Sequence, residues 1–299
     1  MVENFVKLCK MSQKDLKKYA AKELGKTYDD VKNQDGFVFA KGTVPILLVA
    51  HLDTVHKELP ENFVYDSETL TISSPQGIGG DDRCGVYMIF EIIKKHKCSV
   101  LFCEDEEIGM VGAEKFVKSK ASNNLDFNYI IELDRKGNND AVFYDCDNSE
   151  FEEFITKEFF KTAYGSFSDI STIAPALGCA AVNLSCGYYN AHTKNEYVSY
   201  PEMIAVIGEV CNLIERTTDE DKFEYIEREF VYNQFRFDSY GYGYGDIYFL
   251  IQYTDDNGME DWFEAEASSE EEAIGMFCIK HPNLTFRHIV DIYQEGYDY

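Results

Sequence analysis

His51 and Asp53 follow the apolar run VPILLVA (44–50), Glu106 and Glu107 follow CSVLFC (98–103), and Asp134 ends FNYIIELD (127–134). Asp81 and Asp82 sit in the turn-rich GIGGDD (77–82), and His192 comes shortly after CAAVNLSCG (179–187). Imidazoles and carboxylates are the side chains that bind divalent cations and move protons near neutral pH. Each has a plainer reading on its own. A single histidine after a strand commonly serves one hydrogen bond, and paired acids suit a helix N-terminus. Glu106-Glu107 fits a solvated loop, and Asp134 fits a surface turn. Their context separates the readings: buried strands deliver several acids to one sheet edge, where like charges repel unless something cationic binds them. Two histidines with three or four carboxylates meet that need around divalent ions. The mixed ligand set suits zinc, with cobalt or manganese as alternatives.

The elements that must position these groups alternate between strand and helix. Ser12 caps a helix carrying Leu16, Tyr19, Ala20 and Leu24 at helical spacing, which Gly25 stops. GFVFA (36–40) and VPILLVA (44–50), separated by Lys41-Gly42-Thr43, read as a hairpin leading into a buried strand. Residues 84–96 predict an apolar helix, 98–104 a buried strand, 112–120 a helix and 127–134 a strand. FEEFITKEFFKTA (151–163) reads as an amphipathic helix, 179–187 as a strand and 200–217 as a long closing helix. This alternation predicts an α/β fold, a three-layer α/β/α sandwich with a mixed, largely parallel sheet. Ligands bind at the strand ends of such sheets, where the acids and histidines fall.

Past residue 217 the character changes. Residues 217–299 hold 20 acidic against 5 basic residues, so 15 of the 26 net negative charges lie there, with 19 of the chain's 44 aromatic residues. SYGYGYGD (239–246) reads as a bulged strand entry, and 247–253 with 261–267 as a hairpin across Asp255-Asp256-Asn257-Gly258. Ser268 or Ser269 caps a helix over 270–280, and 286–294 is a last strand. The expected organisation is a catalytic domain over 1–216 and a small acidic β-β-α-β appendage over 217–299.

The charge of −26 argues against nucleic acid, whose phosphates are held by Lys and Arg. No apolar run is long enough to span a membrane. The nine cysteines are scattered without CxxC spacing, and the chain starts without a signal-like apolar run. A reducing cytoplasm is the expected location.

HLDTV (51–55), GGDDRCG (79–85), EDEEIGMVGA (104–113), ELD (132–134) and NAHTKNEYVS (190–199) resemble, in order, the motifs of the di-zinc exopeptidase superfamily. That group includes tripeptidase T, glutamate carboxypeptidase, acetylornithine deacetylase and the lidless zinc aminopeptidases. The resemblance spans about residues 44–216. It implies two zinc ions, one held by His51 and Asp134, the other by Glu107 and His192, with Asp81 bridging and a cis peptide bond after it. It implies Asp53 as the partner fixing the His51 tautomer, Glu106 as the general base, and a supporting role for Glu196. The physics agrees: paired ions lower the pKa of a shared water to about 7, and a nearby carboxylate takes its proton and passes it to the leaving amine.

Only 57 residues (135–191) separate Asp134 from His192, too few for the superfamily's lid domain. The architecture therefore resembles the lidless aminopeptidases, and the oxyanion histidine borne by that lid has no counterpart. Tyr188, Tyr189 and Asn190 are candidates for that role or for packing. Arg135 is available to a substrate carboxylate or to a salt bridge. His56 lines the cleft or lies in a solvated loop. His96, His281 and His288 read as structural. The expected activity is aminopeptidase-like cleavage of short peptides. The alternatives are an amidohydrolase of N-acyl amino acids and a non-catalytic binding protein of the same fold. Homo-oligomerisation is compatible with all three.

Overall fold

The computed structural model describes residues 2–163, 165, 167–227, 247–254, 260–267, 273, 274, 276, 277, 280, 281 and 288–295. The chain divides into two compact units, 1–228 and 229–299.

The first unit begins with helices α1 (Val2–Cys9) and α2 (Gln13–Leu24), the latter capped by Ser12, whose Oγ accepts from Asp15 N–H at 3.2 Å. Strands β1 (Val31–Gln34), β2 (Phe37–Ala40), β3 (Val44–His51), β4 (Val64–Asp66) and β5 (Thr71–Ser73) follow. Then come α3 (Gly80–Ile92), β6 (Cys98–Cys103), α4 (Val111–Lys118), β7 (Tyr129–Arg135), β8 (Asp140–Val142), α5 (Ser149–Thr156) and β9 (Lys161–Ala163). Helix α6 (Asp169–Leu177), strands β10 (Ala181–Ser185), β11 (Tyr188–Tyr189) and β12 (Tyr197–Ser199), and helix α7 (Tyr200–Arg216) complete it.

The main sheet has the order β1-β2-β6-β3-β7-β10-β8-β9. Its four central strands, β6, β3, β7 and β10, run parallel, and antiparallel pairs lie on both sides of them. This is the mixed, largely parallel sheet expected. Side chains alternate along each strand, so both faces are covered. Val38, Ala40, Ile46, Leu48 and Ala50 join a core with Val86, Ile89, Val206 and Val210 of α3 and α7. Phe37 and Phe39 point the other way and pack on Phe116 of α4, with ring centroids 5.3 and 5.4 Å apart. Burying each such side chain stabilises the fold by about 1.5–3 kcal/mol.

Several local expectations are corrected. The hairpin is β1–β2, not 36–40 with 44–50, because β6 lies between β2 and β3. Its turn is Asp35-Gly36, where Gly36 takes φ +89°, a value L side chains rarely adopt. The helix expected over 151–163 ends at Thr156, and 161–163 forms the edge strand β9. Residues 217–227, grouped above with the appendage, lie against the first unit: Phe223 packs on Tyr129, Phe151 and Phe154.

In the second unit, β13 (Ile247–Thr254) lies between β14 (Glu260–Ala267) and β15 (Ile289–Glu295), antiparallel to both. Ala273, Ile274, Met276, Phe277 and Lys280 are helical, and Phe277 packs with Phe249, Ile251 and Tyr253. The 239–246 tract, the 255–258 turn and the Ser268/Ser269 cap lie outside the described residues. Among the described residues no helix is long and apolar enough to cross a membrane.

Candidate metal centre

The parallel strands end on one edge of the sheet, and the chemistry collects there. His51 is the last residue of β3 and fully buried, while Asp134 lies near the end of β7. Glu106 and Glu107 follow β6, and Asp81 sits at the start of α3. His192 lies in a turn between β11 and β12 with φ +64°. Segments far apart in sequence thus bring five predicted ligands to one place.

Asp81 is the pivot. Its Oδ1 is 3.0 Å from His51 Nε2 and its Oδ2 is 3.2 Å from His192 Nε2. Asp134 Oδ1 lies 3.3 Å from His51 Nε2, and Glu107 Oε2 lies 3.3 Å from His192 Nε2. Two groups of donor atoms result, His51–Asp81–Asp134 and Asp81–Glu107–His192, each within 4.8 Å of one another and sharing Asp81. His51 with Glu106 and Glu107 forms a third such group.

These residues are held in place by their neighbours. Asp53 Oδ1 is 3.1 Å from His51 Nδ1 and accepts from Glu106 N–H at 3.1 Å, while its Oδ2 accepts from Glu107 N–H at 3.1 Å. Asp134 Oδ2 accepts from Ser168 Oγ at 3.0 Å, and the Asp134 N–H donates to Asn183 Oδ1 at 3.0 Å. The Asp81–Asp82 peptide bond is cis, as the motif resemblance implies. Asp82 turns away from the centre, accepting from His51 N–H at 3.2 Å and from Gly85 N–H at 2.8 Å. Arg83, almost fully buried, donates through Nη1 to the carbonyls of Leu52 and Asp53 at 2.7 and 2.9 Å and so pins the loop after β3.

Glu196 and His56 have a part that spacing did not reveal. Residues 191–195 form turns rather than a helix, so Glu196 does not share a helical face with His192. Glu196 is instead fully buried, and its carboxylate accepts from Gly79 N–H at 2.9 Å and Asp81 N–H at 3.0 Å. His56 Nε2 is 2.8 Å from the same carboxylate. Together they fix the loop that presents Asp81, so His56 is neither a solvated nor a cleft-lining residue. Tyr188 and Tyr189 already have acceptors for their hydroxyl protons, the Asp134 carbonyl at 3.1 Å and the Glu202 carboxylate at 2.6 Å.

The electrostatics are those of crowded acids around two rings. For His51 burial favours the neutral ring, but Asp134, Asp53 and Asp81 outweigh it and hold the pKa well above the ordinary value. Hydrogen bonds to Asp81 and Glu107 push His192 up to about 11. Burial, with the Asp81 charge added, pushes Asp134 up to about 7. Burial raises Glu106 well above the usual carboxylate range; His51 opposes this, while Asp134, Asp169 and Glu107 add to it. Asp169, buried at the first turn of α6, is likewise raised by burial to about 7. Without a cation these acids are relieved only by protons. Glu107 Oε1 is buried with no hydrogen-bond partner, which fits an atom shaped for a cation. The donors are imidazole nitrogens and carboxylate oxygens, the set that suits zinc. The residues therefore fit divalent ions.

The centre opens into a cleft of about 720 Å³, lined also by Arg135, Lys136, Phe167, Tyr189 and Asn190.

The profile of peptidase family M28 matches residues 39–176. No curated protein matches the chain. Aminopeptidase PepT from Bacillus cereus shares the fold with a TM-score of 0.55 and 16% identity, over 72% of this chain and 97% of its own. An aminopeptidase from the archaeon Desulfurococcus kamchatkensis gives 0.56 and 16%, over 73% and 95%. A glutaminyl cyclase from Tannerella forsythia gives 0.51 and 16%, over 73% and 96%. With five motifs in superfamily order, a peptidase profile across the first four of them and a shared fold, the chain is similar to the zinc-exopeptidases, a superfamily of metal-dependent peptidases.

Proposed function

We propose that the chain is an aminopeptidase-like exopeptidase of short peptides that works with two divalent ions, zinc foremost. The observation that carries this reading is the split use of Asp81, with one oxygen facing each histidine. In this reading His51 and Asp134 hold one ion, Glu107 and His192 the other, and Asp81 both. When bound, the ions supply a water of lowered pKa and polarise the scissile carbonyl.

The residues of the chain do the rest. His51 donates Nδ1–H to Asp53, which fixes the tautomer and leaves Nε2 for an ion. Glu106 is tethered by its backbone N–H to the same Asp53, so ring and base move as one unit. Its raised pKa suits a group that must both accept and return a proton. Glu106 takes the proton of the attacking water and delivers it to the leaving amine. The chain's net charge of −26 favours the approach of a substrate ammonium, which motivates the aminopeptidase assignment.

The test joins metal content with a substrate panel. Two equivalents of zinc per chain, hydrolysis of peptides with a free amino terminus and loss of activity on chelation are expected. Turnover of N-acetyl amino acids with inert free-amino peptides would replace this reading with that of an amidohydrolase. Failure to hydrolyse either class with full metal content would make the chain a binding protein.

A further inference from the structure

The chain has 28 basic residues against 54 acidic ones, so a cation in the active cleft stands against the general charge. Two adjacent ones, Arg135 and Lys136, line that cleft, directly after Asp134 at the end of β7. The four acids on the same lining, Asp81, Glu106, Glu107 and Asp134, are balanced in charge by two divalent ions. With the ions in place, the remaining local charge is the positive pair.

That pair is held ready rather than consumed. Arg135 Nε meets Asp140 Oδ2 at 3.4 Å, a long contact that leaves both terminal amino groups without a side-chain partner among the described residues. Lys136 Nζ has no partner there either, while its backbone carbonyl is fixed by Ser185 Oγ at 2.8 Å. The Arg135 carbonyl accepts from Cys186 N–H at 2.7 Å, which anchors its backbone, and its side chain, 20% exposed, lies on the cleft lining. A guanidinium with both amino groups open matches a carboxylate in two-point geometry. Tyr189, also on the lining, stacks on Tyr197 with centroids 5.1 Å apart and donates to Glu202, so it supplies shape rather than charge.

Position sets the length of the ligand. Arg135 is one residue from a predicted metal ligand, and an extended peptide advances about 3.3–3.6 Å per residue. A carboxylate one or two residues beyond the scissile bond therefore lies about 4–7 Å from it, within reach of an arginine.

We propose that Arg135, assisted by Lys136, reads a substrate carboxylate, the free C-terminus of a two- or three-residue peptide whose amino end lies at the metal centre. This rests on the exopeptidase reading and names its substrate class: short peptides with both ends free.

The experiment uses matched tripeptides, free acid and C-terminal amide, plus an amide with glutamate at its last position. They are assayed with the metal-loaded wild type and with Arg135→Ala, Arg135→Lys and Lys136→Ala. The wild type should prefer the free acid by about ten- to a hundred-fold in kcat/KM. Arg135→Ala should bring that ratio close to one through KM, and Arg135→Lys should restore part of it. Equal rates on acid and amide, or an unchanged ratio in Arg135→Ala, would overturn the proposal. Recovery of the preference by the glutamate-bearing amide would show that any well-placed carboxylate serves, and would overturn the assignment to the C-terminus. Calorimetric titration of the same pairs into wild type and Arg135→Ala keeps the two readings apart. Absence of hydrolysis sinks the exopeptidase reading, while the free-acid preference in binding still decides the carboxylate site.

Discussion

One oxygen of Asp53 faces His51 and the N–H of Glu106, and the other holds the N–H of Glu107. A single carboxylate thus orders the ring, the base and a ligand. Removing the base alone should leave the metal in place: Glu106→Gln is expected to keep the wild-type metal content and lose about 10²–10⁴-fold in turnover. A variant that lost its metal together with its activity would show Glu106 to be a ligand instead. The proton balance of the centre gives a second expectation. In the metal-free chain His51 and His192 are both raised, so near neutral pH they carry protons that a cation must displace. Zinc affinity should fall as the pH falls, and uptake should release protons, read by calorimetry in buffers of different ionisation heat. Heats independent of the buffer would contradict it. For stability the sign is equally definite. His192 titrates near 11 rather than at its ordinary 6.5, so the stability it lends is complete below about 6.5 and drains away as the pH rises towards 11. Melting of the chelated protein should show the gap between wild type and His192→Ala narrowing over that range.

The elements divide into those visible in the sequence and those that are not, for physical reasons. Strands β3, β6, β7 and β10 are buried on both faces, so each appears as an unbroken apolar run, and the acids after them stand out by contrast. Strand β1 (VKNQ) is an edge strand with three of its four residues exposed and has no such signal. Helix α6 contains Pro175 together with Ile170, Thr172 and Ile173, poor helix formers that leave little helical signal. The link between Glu196 and His56 spans 140 residues, a distance no local pattern records. Its consequence is testable: Glu196→Ala orphans the N–H groups of Gly79 and Asp81, and metal affinity should fall about 10–100-fold with the fold retained. Competition against a calibrated chelator measures this, and unchanged affinity would reduce the residue to packing. Helix α3 carries a second constraint. A Cβ on Gly85 would meet the Leu133 carbonyl at 1.8 Å and the Asp82 carboxylate at 2.6 Å. Gly85→Ala should therefore destabilise the first unit by about 1–3 kcal/mol in denaturant unfolding, and wild-type stability in that variant would show the helix to be looser against β7 than this packing implies.

Across the whole molecule, the two units have separate cores, one built on the eight-stranded sheet and the other on Phe249, Ile251, Tyr253 and Phe277. A chain ending at residue 228 is expected to fold and bind metal as the full chain does, by melting and metal analysis; an unfolded product would make the C-terminal unit part of the first unit's stability. The main sheet has one further consequence, for the order of events in folding. The candidate ligands run from residue 51 to residue 192 in the chain, yet His51, Glu107 and Asp134 lie at or just past the ends of three neighbouring strands, β3, β6 and β7. A disordered chain has no complete grip on a cation, so capture awaits the docking of strands distant in sequence, itself a slow step. An ion bound there would arrive after the barrier has been crossed, a latch that would slow unfolding and leave the refolding rate nearly as it was.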